Sequence, residues 1–506
     1  MNLSTSEITK VDLINDFQEL KFLYISFLNR LKTNYQLIAK KKNYIPDDLL
    51  PELMNQYHQS EKIFSREISQ IQELLEKLLD TDGIRNNFSG FIEHKHRLSY
   101  NLRSQIGIIS SLITATDWQS PSFKHSVMSE AGRQTGEISG NINDYKRDVH
   151  LDERDYESKY LREYIHTPMK FLVKTYLTNS GMAAFCTILN FLVMEEKTNG
   201  IVLAGLSTYF EAKELLSKTY GNRLVYVDES DTNGILNAYI RYQPNAIFLD
   251  SLCNAPEIPI PDFSTLVPKL IKNCQKDTYL ILDNTGLSFY CQPFPLVIGK
   301  TRKLHVISYE SLNKYHQFGC DRVTGGVITA YGKDTGKLYY YREHTGTNIS
   351  DASVHALPEP SVKLLDCRMR RLGRNTQFLA INLSHFCTDN PKNPIERIIY
   401  PGLSNHSGYP AIKNLPFQGA YFTIRMKKRF RNQRYYKKLL SRIISIAKRK
   451  NVPLIAGTSF GLNTTRIYIT ALNNDYGEPF IRISPGTETK EEIEAIKKLL
   501  EESFKN

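Results

Sequence analysis

Two runs decide how this chain is read: Tyr279-Leu-Ile-Leu-Asp-Asn-Thr285 and His305-Val-Ile-Ser-Tyr-Glu-Ser-Leu-Asn-Lys-Tyr315. Each is a short apolar stretch that ends abruptly in polar residues, the habit of a strand buried on both faces. Three similar runs precede them: Ile201-Val-Leu-Ala204, Leu224-Val-Tyr-Val227 and Ala246-Ile-Phe-Leu249. Helical stretches alternate with these runs, so the pattern predicts an α/β fold with a mostly parallel sheet and crossover helices. In open sheets of this kind ligands lie beyond the carboxyl ends of the strands. The residues that close the runs are where chemistry is expected.

Asp283 closes one run and Lys314 lies just beyond the next. A carboxylate at a strand end can pair with a protonated pyridine nitrogen, and a lysine can form an imine with an aldehyde cofactor, then act as a base if its pKa is depressed. On these two residues alone, a surface lysine and a strand-capping aspartate are the favoured reading. Upstream, Thr178-Asn-Ser-Gly-Met-Ala-Ala184 precedes an apolar helix over Phe185 to Val193. Small residues at a helix start expose backbone N–H groups and make a phosphate site. An aromatic at a strand end, Tyr209, completes the set. Phosphate cradle, aromatic, acid and lysine in this order are jointly far more specific than any one of them.

From about Tyr145 to the C-terminus the chain resembles the fold-type-I pyridoxal-phosphate enzymes of cysteine and methionine metabolism, the family of cystathionine γ-synthase, cystathionine γ-lyase and methionine γ-lyase. The resemblance implies that Lys314 in Ser311-Leu-Asn-Lys-Tyr315 carries pyridoxal 5′-phosphate and that Asp283 holds the ring nitrogen. It implies phosphate contacts from Ser180, Gly181, Met182 and Ser311, with Asn313 standing where the family has a threonine. Tyr209 matches the tyrosine that stacks on the ring and assists proton transfer, and Asn254 the asparagine near the ring oxygen. Tyr145-Lys-Arg147 resembles a segment that crosses a dimer interface to a neighbour's phosphate, implying a homodimer or homotetramer. Arg368-Met with Asn375, and Tyr400-Pro-Gly-Leu403, match markers of the C-terminal domain. Ser459-Phe-Gly461 and Phe480-Ile-Arg482 match the substrate-binding segments, and Arg482 would clamp an amino-acid carboxylate with its planar fork. Asp250 stands where a glutamate is common. Asn-Pro-Thr after the Tyr-x-Arg segment is missing, which leaves the substrate open. The implied activity is a lyase or synthase performing β- or γ-elimination or replacement on a substituted L-amino acid. Transamination or carbon–carbon bond formation are rival outcomes on the same cofactor.

The rest of the 506 residues sets bounds. The length points to two or three domains: a helical extension over 1–140, a cofactor domain over 141–334 and a smaller α/β domain over 335–506. Phe17, Leu20, Leu23, Tyr24, Phe27, Leu28 and Leu31 mark one amphipathic helix, and Ile63 to Leu79 another, with Pro46 to Pro51 expected to break the chain between them and Asp82-Gly83 to stop the second. His94 and His96 lack further ligands at useful spacing, and no metal is expected. No apolar run approaches the roughly 20 residues of a membrane span, and Met1 to Asn15 is too polar for a secretory signal. Seven scattered cysteines read as reduced thiols, so a cytoplasmic protein is expected. The net charge is +12, and twelve Lys and Arg with no acid lie between Arg425 and Lys450. Apolar residues there recur at helical spacing, which reads as a buried face with solvated cations opposite. A non-catalytic, polyanion-binding protein using that face is the rival from another class.

Overall fold

The computed structural model describes residues 4–40, 48–80, 87–114, 151–470 and 479–505. Three long helices come first: α1 (Thr5–Lys40), α2 (Leu49–Leu79) and α3 (Ser89–Thr114). Phe17, Tyr24 and Leu31 on α1, Phe64, Ile71 and Leu78 on α2, and Leu98, Leu102 and Ile109 on α3 are buried at helical spacing. Pro51 does not break the chain as its composition suggested. It lies in the first turn of α2, where the missing N–H has no intrahelical partner to lose. Pro46, Asp82 and Gly83 lie outside the described residues.

After α4 (Leu151–Tyr164) comes a seven-stranded sheet. Its strands are β1 (Lys174–Thr178), β2 (Val202–Gly205), β3 (Leu224–Val227), β4 (Ala246–Asp250), β5 (Thr278–Asp283), β6 (Leu304–Ser311) and β7 (Gly326–Tyr331), in the spatial order β1-β7-β6-β5-β4-β2-β3. The five anticipated runs are β2 to β6 and pair in parallel. Helices α5 (Gly181–Met194), α6 (Phe210–Tyr220), α7 (Thr232–Tyr242) and α8 (Phe263–Asn273) alternate with these strands. β7 runs antiparallel to both its neighbours, because the Lys314 loop returns without a crossover helix. Neither β1 nor β7 was anticipated. Further helices, α9 (Leu338–His344) and α10 (Asp351–Ala356), pack back on α5 and on α3 and α4 respectively.

Helix α11 (Val362–Asp389) leads into a second sheet of β8 (Ile395–Ile399), β9 (Phe422–Met426), β10 (Leu454–Ala456), β11 (Thr465–Thr470) and β12 (Phe480–Ser484), ordered β10-β11-β12-β9-β8. Its helices are α12 (Gln433–Arg449) and α13 (Lys490–Phe504). The basic stretch is not one helix. Arg425 is on β9, Phe430 closes a tight turn, and α12 begins only after Asn432, whose side chain accepts from the Tyr435 N–H at 2.9 Å. Tyr436, Leu439, Ile443 and Ile446 bury one face of α12. Several cations of the stretch are paired: Arg425 with Glu257 and Glu396, Arg431 with Glu396, Lys450 with Glu502. A solvated basic face accounts for the charge run.

The N-terminal helices are fastened to this second unit by buried charges. Arg371 and Arg374 of α11 hold Asp12 at 3.1 and 2.8 Å, and Lys95 of α3 sits 3.0 Å from Asp16 and 3.5 Å from Glu492. His96 lies 2.8 Å from Glu492, while His94 meets Gln70. No cluster of metal ligands exists among the described residues, and none of their helices is long and apolar enough to cross a membrane.

Candidate functional site

A cavity of about 640 Å³ opens at the carboxyl ends of the central strands, closed on its far side by the second sheet. Asp283 ends β5, and in the parallel register it stands directly beside Asp250, which ends β4. Adjacent parallel strands put equivalent residues at one height, so two carboxylates share one wall. Asp283 accepts the Thr285 N–H at 3.0 Å, and Asp250 accepts the Tyr209 N–H at 3.1 Å. Burial raises both carboxyls, and the charge of Asp283 raises Asp250 further, while hydrogen bonds from Thr285 and then Tyr309 pull Asp283 the opposite way. A pair of strained acids facing a cavity calls for a cationic partner.

Lys314 enters from the turn after β6. Its Nζ donates to Ser459 Oγ at 2.9 Å and lies 5.3 Å from the centre of the Phe460 ring. Burial, seconded by the neighbouring Arg482 cation, brings the amine down to about 8. That is low enough for a neutral, nucleophilic fraction at ordinary pH.

The helix α5 supplies the anion end. Ser180 caps it, its Oγ accepting the Ala183 N–H at 3.0 Å, and the first N–H groups of Gly181 and Met182 have no intrahelical acceptor. Gly181 fits because of Ser311: a Cβ on it would stand 3.0 Å from the Ser311 Cβ. Ser311 is held by its own N–H on Thr285 Oγ1 at 3.0 Å. Asn313 behaves differently from its neighbours. Its Oδ1 accepts the Gly325 N–H at 2.9 Å, and it does not line the cavity, so its side chain shapes the lysine turn.

Arg482, on β12, is only 3% exposed and is framed by the rings of Tyr421, Phe460 and Tyr468 at 5.5 to 6.0 Å. Nη1 donates to Asn254 Oδ1 at 2.7 Å, and Nη2 reaches Ser459 O at 3.4 Å. Its buried Nε has no hydrogen-bond partner among the described residues. Asn254 thus orients Arg482. Tyr209 lies at the start of α6, its hydroxyl pushed to about 12 by burial and by the charges of Glu211 and Asp283. Tyr145 and Arg147 lie outside the described residues.

The site therefore gathers Lys314, Asp283, Tyr209, Ser180, Gly181, Met182, Asn254, Ser311, Ser459 and Arg482 around one cavity. Sequence reading gave Asp250 no role, quoted Thr285 and Phe460 only as parts of motifs, and missed Tyr309, Tyr421 and Tyr468; all of these also line it. The strand-end position of Asp250 was a usable signal, since β4 was anticipated; nothing local marks the aromatic frame of Arg482. The donor set fits pyridoxal phosphate: paired buried acids for a protonated ring nitrogen, a helix start too tight for a Cβ for the phosphate, and a depressed lysine for the aldehyde.

Comparison with known proteins agrees. The family model described as Cys/Met metabolism PLP-dependent enzyme matches residues 115–501. The chain is 26% identical over 356 residues to the bifunctional enzyme flvA of Aspergillus flavus, spanning 70% of this chain and 41% of that protein. It is 27% identical to rat cystathionine gamma-lyase over 46% of this chain and 54% of the relative. The chain thus spans about half the length of the curated relatives it matches. Among solved structures, metB from Corynebacterium glutamicum superimposes with a TM-score of 0.55 at 21% identity, over 72% of this chain and 88% of that one. Cystathionine gamma-lyase from Lactobacillus plantarum, complexed with L-serine, gives 0.55 at 19% identity over 73% and 90%. At this identity the structures establish the fold.

Proposed function

The chain belongs to the Cys/Met metabolism PLP-dependent enzymes, and on that premise we propose that it catalyses β- or γ-elimination or replacement on a substituted L-amino acid. The observation that carries this reading is a depressed lysine amine, a strand-end acid and a buried arginine converging on one cavity. Pyridoxal phosphate, when bound, supplies an electron sink for charge that develops at the amino acid's α-carbon. The first N–H groups of α5 and Ser311 would hold its phosphate, and Asp283, with Asp250 beside it, its ring nitrogen. Arg482 receives the substrate carboxylate through Nη2, whose contacts to Thr458 and Ser459 are long, while Asn254 fixes the plane of the guanidinium. The neutral Lys314 amine takes the α-proton, and Ser459 Oγ holds that amine on the cavity side. Tyr209, which lines the same cavity, would stack on the cofactor ring and assist proton transfer. Glu211 and Lys213 also line the cavity.

The finer points are part of the same proposal. If Tyr145 and Arg147 serve a neighbouring subunit's phosphate, as the family resemblance implies, the enzyme would work as a homodimer or homotetramer, and Tyr145→Phe should loosen the cofactor about tenfold without changing the sedimentation of the assembly. A cytoplasmic site of action is supported by all seven cysteines being unpaired.

The test starts with the purified protein and added pyridoxal phosphate. Visible absorbance that borohydride bleaches, with the reduced cofactor mapped to Lys314, supports the assignment. L-Cystathionine and L-methionine, the amino acids in the names of the relatives, are then assayed for ammonia and keto acid release. A colourless protein that takes up no cofactor sinks the reading.

A further inference from the structure

The appended helices reach the reactive lysine through one arginine. Arg368, on α11, is 3% exposed, and its guanidinium serves two sides. Nη1 donates to Glu19 Oε1 on α1 at 2.8 Å, and Nη2 donates to Gly461 O at 3.2 Å and Asn463 Oδ1 at 2.6 Å. Those acceptors continue the segment that holds Lys314 and Arg482 through Ser459. Gly461, at φ +79°, rests directly on the lysine: a Cβ there would stand 2.9 Å from the Lys314 carbonyl carbon and 2.7 Å from the Tyr315 ring. On the other flank of the turn, Gly319, at φ +78°, leaves room for the hub itself, since a Cβ would stand 2.7 Å from Arg368 Nη2 and collide with Asn463 Oδ1. Both segments are strained. Ser459 at φ +76° and Phe318 at φ +49° hold left-handed backbone without being glycine, a state that persists only where the surroundings over-determine it.

We propose that Glu19 and Arg368 are positioning residues for Lys314 and Arg482, so that the N-terminal helical layer is part of the active-site scaffold. The inference rests on the reading of Lys314 as the reactive lysine. Attachment of α1 does not need the Glu19 contact, because Asp12 and Asp16 bind Arg371, Arg374 and Lys95 independently. What Glu19 adds is an anchor for Arg368, which spans α1, the 459–463 segment and the lysine turn. Aligning Nη1 leaves Nη2 aimed at Gly461 and Asn463, because the guanidinium is planar.

The test uses the full-length chain loaded with pyridoxal phosphate, as wild type, Glu19→Gln, Glu19→Ala and Asn463→Ala. Hydrogen exchange is followed in peptides over 457–464 and 315–321, with α1 and β5 as internal references. Glu19→Ala and Asn463→Ala should each speed exchange in the two segments roughly tenfold, as loss of a hydrogen bond to a charged group predicts, and leave α1 and β5 at wild-type rates. Glu19→Gln keeps an oxygen for Nη1 and should recover most of the protection. Turnover of L-cystathionine carries a second signature: in Glu19→Ala the acid limb of the kcat profile, set by the Lys314 amine, moves to higher pH as water enters. Exchange unchanged in both segments, or raised equally through α1 and β5, overturns the positioning role. A wild-type protein in which borohydride fixes no cofactor on Lys314 overturns the proposed function instead, and the two failures are read from different measurements.

Discussion

The depressed amine of Lys314 follows from where it is buried. A lysine amine brought from 10.5 to about 8 makes any turnover that needs it neutral rise with pH through about 8 and level off above. The same shift has a sign for stability in the cofactor-free chain. Between about 8 and 10.5 the unfolded lysine still holds its proton while the folded one has released it, so the group's contribution to stability rises with pH across that window. Lys314→Met, which removes the buried charge at similar volume, should therefore be more stable than wild type by on the order of 3 kcal/mol near neutrality. Urea midpoints should show the gap closing by about pH 10; a gap constant with pH would contradict the account. The variant should also lose turnover and borohydride-fixed cofactor. For Arg482→Ala the expected loss is about a hundredfold in kcat/KM, carried mainly by KM, as removal of two charge-assisted hydrogen bonds predicts. Cofactor attachment to Lys314 should persist in that variant, which borohydride mapping checks.

At the scale of elements, the start of α5 is the point of least tolerance. Gly181→Ala places a methyl 3.0 Å from the Ser311 Cβ, so either α5 or the β6 end must retreat. The expected outcome is about a tenfold weaker affinity for pyridoxal phosphate by absorbance titration, with little change in melting temperature. Ser180→Ala removes the cap instead and should cost about 1 kcal/mol of stability. The segment Ser180-Gly-Met182 was legible because capping and small-residue signals are local. β7 was not, because its direction depends on the length and shape of the Lys314 loop. The helix reading of the basic stretch failed at its start, since Arg425 pairs with β8 and β9 is held between two strands.

For the whole molecule, the joint between the helical layer and the second sheet is electrostatic and buried. Burial alone would raise Glu492, but Lys95, and then His96, outweigh it and hold the carboxyl far below its usual range. Its contribution to stability is complete above its ordinary value of 4.5 and is lost as pH falls below it. Lys95→Ala should cost about 3 to 5 kcal/mol, because it leaves Asp16 and Glu492 buried without their cation. Thermal melts at pH 7 and pH 4 test both statements: the variant should melt well below wild type at pH 7 and the difference should narrow in acid. An unchanged melting temperature would mean that the joint holds by apolar packing alone.

Local order in the chain was enough to set the alternation of strands and helices and to put Asp283 and Lys314 at strand ends; the roles expected of Lys314, Asp283 and Arg482, and the cofactor, came from the resemblance of whole motifs to a family. Periodicity and strand ends are properties of a few consecutive residues, so a sequence displays them. The folded molecule alone decided how these residues are held. Asn254 turns to Arg482, Asn313 turns away to Gly325, and Asp250 comes level with Asp283. Glu19 reaches the lysine turn through Arg368. Each of these depends on contacts between segments far apart in the chain, where packing rather than neighbouring sequence fixes which partner a polar group finds.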